Sequence, residues 1–332
     1  MSKKKILYIL FRADYGGAEQ SIPSLIDLYY EIGYETNLII LSPGGDQYIR
    51  KILSKFKVNL LKTLLMCFFH KIKYDFIISS IPYSSIPATI LSILLKPRKL
   101  LIWLHNSRYS RFHTLLLEIP KFFYKTTYLA DSNEVKKEFS YLKPKYAPIY
   151  FHTLNNIKSS FINKNKFITL ARPSIQKGID LLAISAHKFP NINFFIYGCT
   201  LIDFKNLYPK IKLSKNIKFL GYKKKDEIFT ERCFYIQPSR WEGFCISIVE
   251  AILYGCIPIG SAVGEITNHL GNEELFIIKS ISAKGIENKI KNLIYDTNFS
   301  ILENKTISIN KRILMKYNKN SIKEIWNSIF EI

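Results

Sequence analysis

The 332-residue sequence predicts an α/β chain of two doubly wound parallel-sheet domains with an interdomain cleft. Three observations predict it. Short continuous apolar runs alternate with segments of helical period along almost the whole chain, as expected for parallel strands buried on both faces and joined by helical crossovers. The alternation breaks near Asn155–Lys166 (NNIKSSFINKNK), a polar linker, and then resumes. At 48% hydrophobic residues, the chain can build two ordinary cores. Residues 1–155 and 156–312 are the expected domains. A terminal helix over about 313–332 follows, with the first domain as one candidate docking site.

In order, Ile6–Phe11 is an apolar run typical of a central strand, followed by a helix from Ala18 that Gly33 stops. Glu35–Leu41 is the next strand, closed by Ser42-Pro43-Gly44-Gly45-Asp46. A short helix (Gln47–Leu53), a candidate strand at Val58–Leu60 and a helical segment to about Lys71 lead into the strand Asp75–Ser79. Helix Ser84–Leu95 precedes the strand Lys99–Leu104, with His105 at its C-terminal end. Tyr128–Ala130 is read as strand, and Ser132 caps a helix over Glu134–Phe139. The second series runs through strands at Phe167–Leu170, Ile192–Tyr197, Ile217–Leu220 and Phe234–Gln237, with helices at Ile179–His187, Leu201–Leu207 and Lys225–Thr230 between them. Ile257–Gly260, Leu275–Ile278 and a helix at Ala283–Tyr295 complete it.

Forty-eight Lys and Arg against 26 Asp and Glu give a net charge of +22, which calls for an acidic partner: nucleic acid, an anionic lipid surface or a phosphorylated ligand. The charge is not a tail, because residues 1–155 hold 22 basic and 11 acidic residues and the remainder 26 and 15. Five cysteines without a CxxC pair point to a reduced, cytoplasmic protein with no zinc site and no disulfide framework. The apolar run Ile6–Phe11 is short for a signal peptide, and no run approaches the ~18 residues of a membrane span.

The stretch Gln237–Gly260, QPSRWEGFCISIVEAILYGCIPIG, reads as strand end, polar loop, amphipathic helix, glycine stop and next strand. Its helix starts near Phe244 or Cys245, so the amides around Cys245, Ile246 and Ser247 can hold a phosphate. Glu242 lies just before that point and Glu250 about one and a half turns inside. Carboxylates on both sides of an anion site fit a ligand with hydroxyls flanking its phosphates, as in a nucleotide sugar. The plain structural alternative is a turn-stabilising Glu242 and a solvated Glu250. Gly16 and Gly17 open the first helix and allow close backbone approach, although such glycines also serve packing. Arg172 and Lys177 share the loop after the first strand of the second domain and can neutralise a diphosphate, or can simply be solvated. His105 suits an acid, a base or a sugar contact, and equally a satisfied core histidine.

Together these segments resemble the GT-B glycosyltransferases, specifically the retaining enzymes of glycosyltransferase family 4. The resemblance runs over roughly residues 5–270. It rests on the GGAE turn (Gly16–Glu19), His105, Arg172-x4-Lys177-Gly178, FLGY at Phe219–Tyr222, PSRWEGFCISIVEA with its E-x7-E spacing, and Val263-Gly264. It implies two Rossmann-like domains, a nucleotide-diphosphate sugar, UDP- or GDP-linked, held by the second domain, and an acceptor held by the first. It implies neither a cofactor nor a required metal. On this resemblance Glu250 meets the ribose, Glu242 the donor sugar, and Arg172, Lys177 and the amides of Phe244, Cys245, Ile246 and Ser247 the phosphates. Gly16 and Gly17 lie near the phosphates or acceptor, and His105 near the sugar; Glu242, His105, Arg172 and Lys177 are the catalytic candidates. The chain departs from the family at Ala171, at Gly198-Cys199-Thr200, at Glu265 and in lacking an NG[IV]D loop around Tyr150–Leu154, which bears on nucleobase and sugar preference.

After His105, cations interleave with aromatics from Arg108 to Lys125, and Lys51–Lys73 is both basic and apolar. This predicts a peripheral contact with an anionic membrane, on its inner face, bringing a glycan or lipid-linked acceptor to the first domain in surface polysaccharide or glycolipid synthesis. Apolar core with a solvated rim explains the same residues. Two rival functions stay open: a basic nucleic-acid-binding protein, against which stands the lack of any such motif, and a phosphorylase or epimerase on a related two-domain frame.

Overall fold

The computed structural model describes residues 3–13, 16–69, 72–80, 82–150 and 162–331. The chain divides into two compact units, Met1–His152 with Asn318–Ile332, and Thr153–Tyr317.

The first unit is built on strands β1 (Lys4–Leu10), β2 (Tyr34–Ile40), β3 (Phe76–Ser80), β4 (Lys99–Leu104), β5 (Thr126–Ala130) and β6 (Lys145–Tyr146). They form one parallel sheet in the order β2-β1-β3-β4-β5-β6. β3 and β4 are buried throughout, which is why their apolar residues Phe76–Ile78 and Leu100–Leu104 run without alternation. Leu7, Ile9, Ile77, Leu100 and Ile102 join Ala88, Leu91 and Leu117 in one core. On the opposite face Trp103 meets Trp326 at 5.1 Å and Phe76 meets Phe330 at 5.0 Å.

The expected strand at Val58–Leu60 does not form. Lys57 makes only an isolated bridge to Leu38, and Asn59 caps a helix over Leu60–Phe68 by accepting from Lys62 N. The basic, aromatic stretch after His105 folds as two short helices, Arg111–Glu118 and Pro120–Phe123, and β6 was not foreseen. The C-terminal segment is two helices instead of one. Phe299–Lys316 belongs to the second unit, Asn318 caps the next by accepting from Ser321 N, and Lys319–Glu331 returns to the first unit.

The second unit holds β7 (Ile162–Leu170), β8 (Asn193–Tyr197), β9 (Ile217–Gly221), β10 (Arg232–Gln237), β11 (Ile257–Ser261) and β12 (Ile277–Ile278), all parallel, in the order β12-β11-β10-β7-β8-β9. Residues 155–161 of the expected linker lie outside the described residues. Its remainder is strand, because β7 begins at Ile162, not Phe167: the backbone at Ile162 and Asn163 pairs with Arg232 and Cys233, and the polar side chains hid that pairing. Both sheets are doubly wound, so the expected fold class is borne out. Strand order reverses between β1 and β3 in one unit and between β7 and β10 in the other, and a doubly wound sheet opens its ligand crevice at the carboxyl ends of such strands.

Candidate active site

In the second unit the loops after β7 and β10 are fastened together. Gly178 (φ +63°) lies so close to β10 that a Cβ there would sit 2.0 Å from the Pro238 carbonyl oxygen. Arg240 N donates to Gln176 O at 2.7 Å, and Gln176 Nε2 donates to Trp241 O at 2.9 Å. The Arg240 guanidinium clamps both Asp180 carboxylate oxygens at 2.8 and 2.6 Å. Two segments distant in sequence thus form one rigid cradle.

Glu242 sits inside it, 4% exposed. Its Oε1 accepts from Lys177 Nζ at 2.6 Å and from Ser239 Oγ at 2.6 Å. Ser239 in turn accepts from Gln237 Nε2 at 2.8 Å, while Gln237 Oε1 accepts from Tyr235 OH at 2.6 Å and from Ser247 Oγ at 3.2 Å. A buried carboxylate is tolerable only with such partners. Lys177 therefore balances Glu242, and Arg172 is the exposed cation of that loop, with no hydrogen bond or ion pair among the described residues.

Cys245 takes a left-handed conformation (φ 61°, ψ 67°) as the N-cap of helix Ile246–Leu253, so the helix begins one residue past the expected start and its first amides have no intrahelical acceptor. The Phe244 ring packs against His269 and Tyr317. His269 Nε2 lies 2.7 Å from Phe244 O, and burial pushes this imidazole down from 6.5 to about 3. Gly264 (φ +56°) allows the next loop to approach, since a Cβ would lie 2.5 Å from Glu242 O; Glu265 N then donates to Gly243 O at 2.9 Å. Glu250 is 7% exposed and ion-paired with Lys225. Both glutamates are therefore buried and partnered, which excludes the solvated-helix alternative. Gln237, Ser239, Lys225 and His269 escaped the sequence analysis. Only Gln237, a polar residue ending an apolar strand, carried a local signal.

In the first unit His105 follows β4. Its Nδ1 lies 3.2 Å from Asp131 Oδ2 and its Nε2 3.3 Å from Ser80 Oγ, and Ser80 is hydrogen-bonded to Tyr8 OH. A proton on Nδ1 can be donated to Asp131 Oδ2, and in that neutral tautomer Nε2 is the ring's acceptor. His105, Ser80 and Asp131 all stand at or just past the carboxyl ends of β3, β4 and β5. Gly16 caps helix Gly17–Glu31 in an extended conformation, with a Cβ-to-Glu19 Oε2 separation of only 2.1 Å were a Cβ present. Asp14 and Tyr15, which complete that turn, lie outside the described residues, as does 151–154 of the segment compared with NG[IV]D.

Residues 153–312 match the family described as Glycosyl transferases group 1. Among curated proteins, a relative is the UDP-N-acetylglucosamine--peptide N-acetylglucosaminyltransferase GtfA subunit of Streptococcus parasanguinis, 29% identical over 131 residues. That alignment covers 37% of this chain and 26% of the relative, so the match spans about a quarter of that protein's length. Among solved structures, Anabaena Alr3699/HepE in complex with UDP superposes with a TM-score of 0.80 at 19% identity, covering 99% of this chain and all of that one. TarM gives 0.79 at 13% identity over 99% of both chains. Sucrose-phosphate synthase from Thermosynechococcus elongatus gives 0.78 at 14%, over 99% and 98%. The fold is that of GT-B glycosyltransferases, and the matched family supports a glycosyltransferase.

Proposed function

We propose that the chain transfers a sugar from a nucleotide-diphosphate sugar to a glycan or lipid-linked acceptor, with retained configuration, in the manner of glycosyltransferase family 4. The observation that carries this reading is the placement of two buried, ion-paired glutamates, Glu242 and Glu250, on either side of a helix N-terminus at the β7/β10 reversal. Glu250 has the ribose hydroxyls as its natural partners and Glu242 those of the sugar. Exposed Arg172, Lys177 and the first amides of helix Ile246–Leu253 stabilise charge on the departing diphosphate, which needs no metal. UDP is the first nucleotide to test, since the HepE structure holds it and the GtfA relative is named for a UDP sugar. A hexosyl donor, an acceptor held by the first unit, and a peripheral place on the inner membrane face in surface polysaccharide or glycolipid synthesis complete the reading.

The test is thermal shift and turnover with UDP-, GDP-, ADP- and CMP-sugars, with and without EDTA. UDP-sugars should raise the melting temperature. Glu250→Ala should abolish that shift, and Glu242→Gln should lower turnover by ~10²-fold or more. No response to any nucleotide sugar would remove the reading, and an inverted anomeric centre in the product by NMR would remove retention.

A further inference from the structure

The second, third and fourth crossovers of the first sheet, from β2 to β3, β3 to β4 and β4 to β5, all run in one direction across it. Right-handed connections therefore put helices Leu60–Phe68, Pro82–Leu95, Arg111–Glu118 and Pro120–Phe123 in one layer. The packing agrees: Leu64 and Cys67, Ala88 and Leu91, and Leu117 share one core beneath them, and Ser85 Oγ donates to Leu116 O at 2.9 Å.

The outer side of this layer is apolar where a globular domain carries polar residues. Leu61, Leu65 and Phe68 follow i, i+4, i+7 spacing and point to solvent, Phe68 being 77% exposed. Ile90 and Leu94 continue the surface on the next helix, and Phe112 and Phe122 on the last two, Phe122 being 74% exposed. So much exposed apolar surface on adjoining helices marks an interaction site.

Charge identifies the partner. Residues 47–125 contain 14 Lys and Arg, among them Lys99 buried in β4 and Arg98 bonded to Glu331 O of the last helix, but only Asp75 and Glu118 as acids. Lys62 and Arg111 are exposed on the same helices as Leu61, Leu65 and Phe112, and Lys121 lies over Phe122, its Nζ 5.1 Å from that ring. Protein interfaces deplete lysine at their centres, and nucleic-acid backbones offer no place for aliphatic tips. A bilayer surface accepts both, with apolar tips among the acyl chains and long cationic stems reaching the headgroups.

We propose that this helical layer docks on an anionic lipid bilayer. The proposal deepens the transfer reading above and rests on it only for its purpose, the presentation of a lipid-linked acceptor. No helix among the described residues is long and apolar enough to cross a membrane, so the contact is peripheral.

The experiment is co-sedimentation of the full chain with phosphatidylcholine vesicles, with and without added phosphatidylglycerol. The wild type should pellet only with the anionic vesicles and less so at high salt. Phe68→Ser/Phe122→Ser/Phe123→Ser and, separately, Lys62→Gln/Arg111→Gln/Lys121→Gln should each weaken binding by ~tenfold or more, with melting temperatures near the wild type. Wild-type protein left in the supernatant with both vesicle types would overturn the proposal, as would a dimer by light scattering that the triple Phe→Ser variant dissociates. Glu250→Ala should bind vesicles like the wild type while losing its donor response. A failed donor screen therefore leaves vesicle binding intact, and failed vesicle binding leaves the donor response intact.

Discussion

His269 holds the turn from which both glutamates depart. A carbonyl oxygen only accepts, so the 2.7 Å contact to Phe244 O places a proton on Nε2, and the neutral ring leaves Nδ1 to accept from Tyr317 OH at 3.3 Å. Burial first, then Lys316 and Arg312, disfavour a second proton. The folded value, about 3, lies below the ordinary 6.5, so the unfolded chain binds more protons between them. This contribution is therefore complete above pH 6.5 and is lost as pH falls toward 3, by roughly 1.4 kcal/mol per pH unit. Denaturant melts between pH 6.5 and 5, above the range of ordinary carboxylates, should show that slope. His269→Gln, which keeps a donor for Phe244 O, should flatten it; equal slopes in both proteins would refute the assignment.

At the scale of elements, the site depends on two loops behaving as one. Lys177 and Glu242 are 65 positions apart and meet because β7 lies beside β10. Gly178 is the pivot of that contact, since only a residue without Cβ fits both its positive φ and its approach to Pro238 O. Gly178→Ala should cost ~1–3 kcal/mol, by denaturant melts of the second unit, and should cancel stabilisation by UDP-sugars. A wild-type melt with an intact donor response would show that the loops tolerate separation.

Across the whole molecule, the last helix serves the first unit. Trp326 Nε1 donates to Pro148 O at 3.2 Å, its ring packs on Tyr29 at 4.9 Å and on Trp103, and Glu31 pairs with Lys319 and Lys323 at the helix edge. The core of that unit is thus closed by residues at the far end of the chain. Trp326→Ala should destabilise it by ~3–5 kcal/mol while the donor-induced shift of the second unit persists. A loss of both together would mean that the units unfold as one.

Strands and the glutamate pair were legible from sequence because they are local. A buried parallel strand announces itself as an apolar run, as at Ile6–Phe11, and E-x7-E spacing survives any tertiary context. His105 at a strand end was equally visible. Partners were not: no nearby pattern couples Glu250 to Lys225, Glu242 to Lys177 or His105 to Asp131. Strand order decides those meetings, and strand order is set by long-range packing. For the same reason the polar start of β7 read as linker, and the terminal helix had the first domain only as one candidate seat. Spacing alone left Glu242 and Glu250 open to a plain solvated helix, and it was the surrounding family-like segments that singled them out, whereas their burial and ion pairs were decided only when distant loops and helices closed around them.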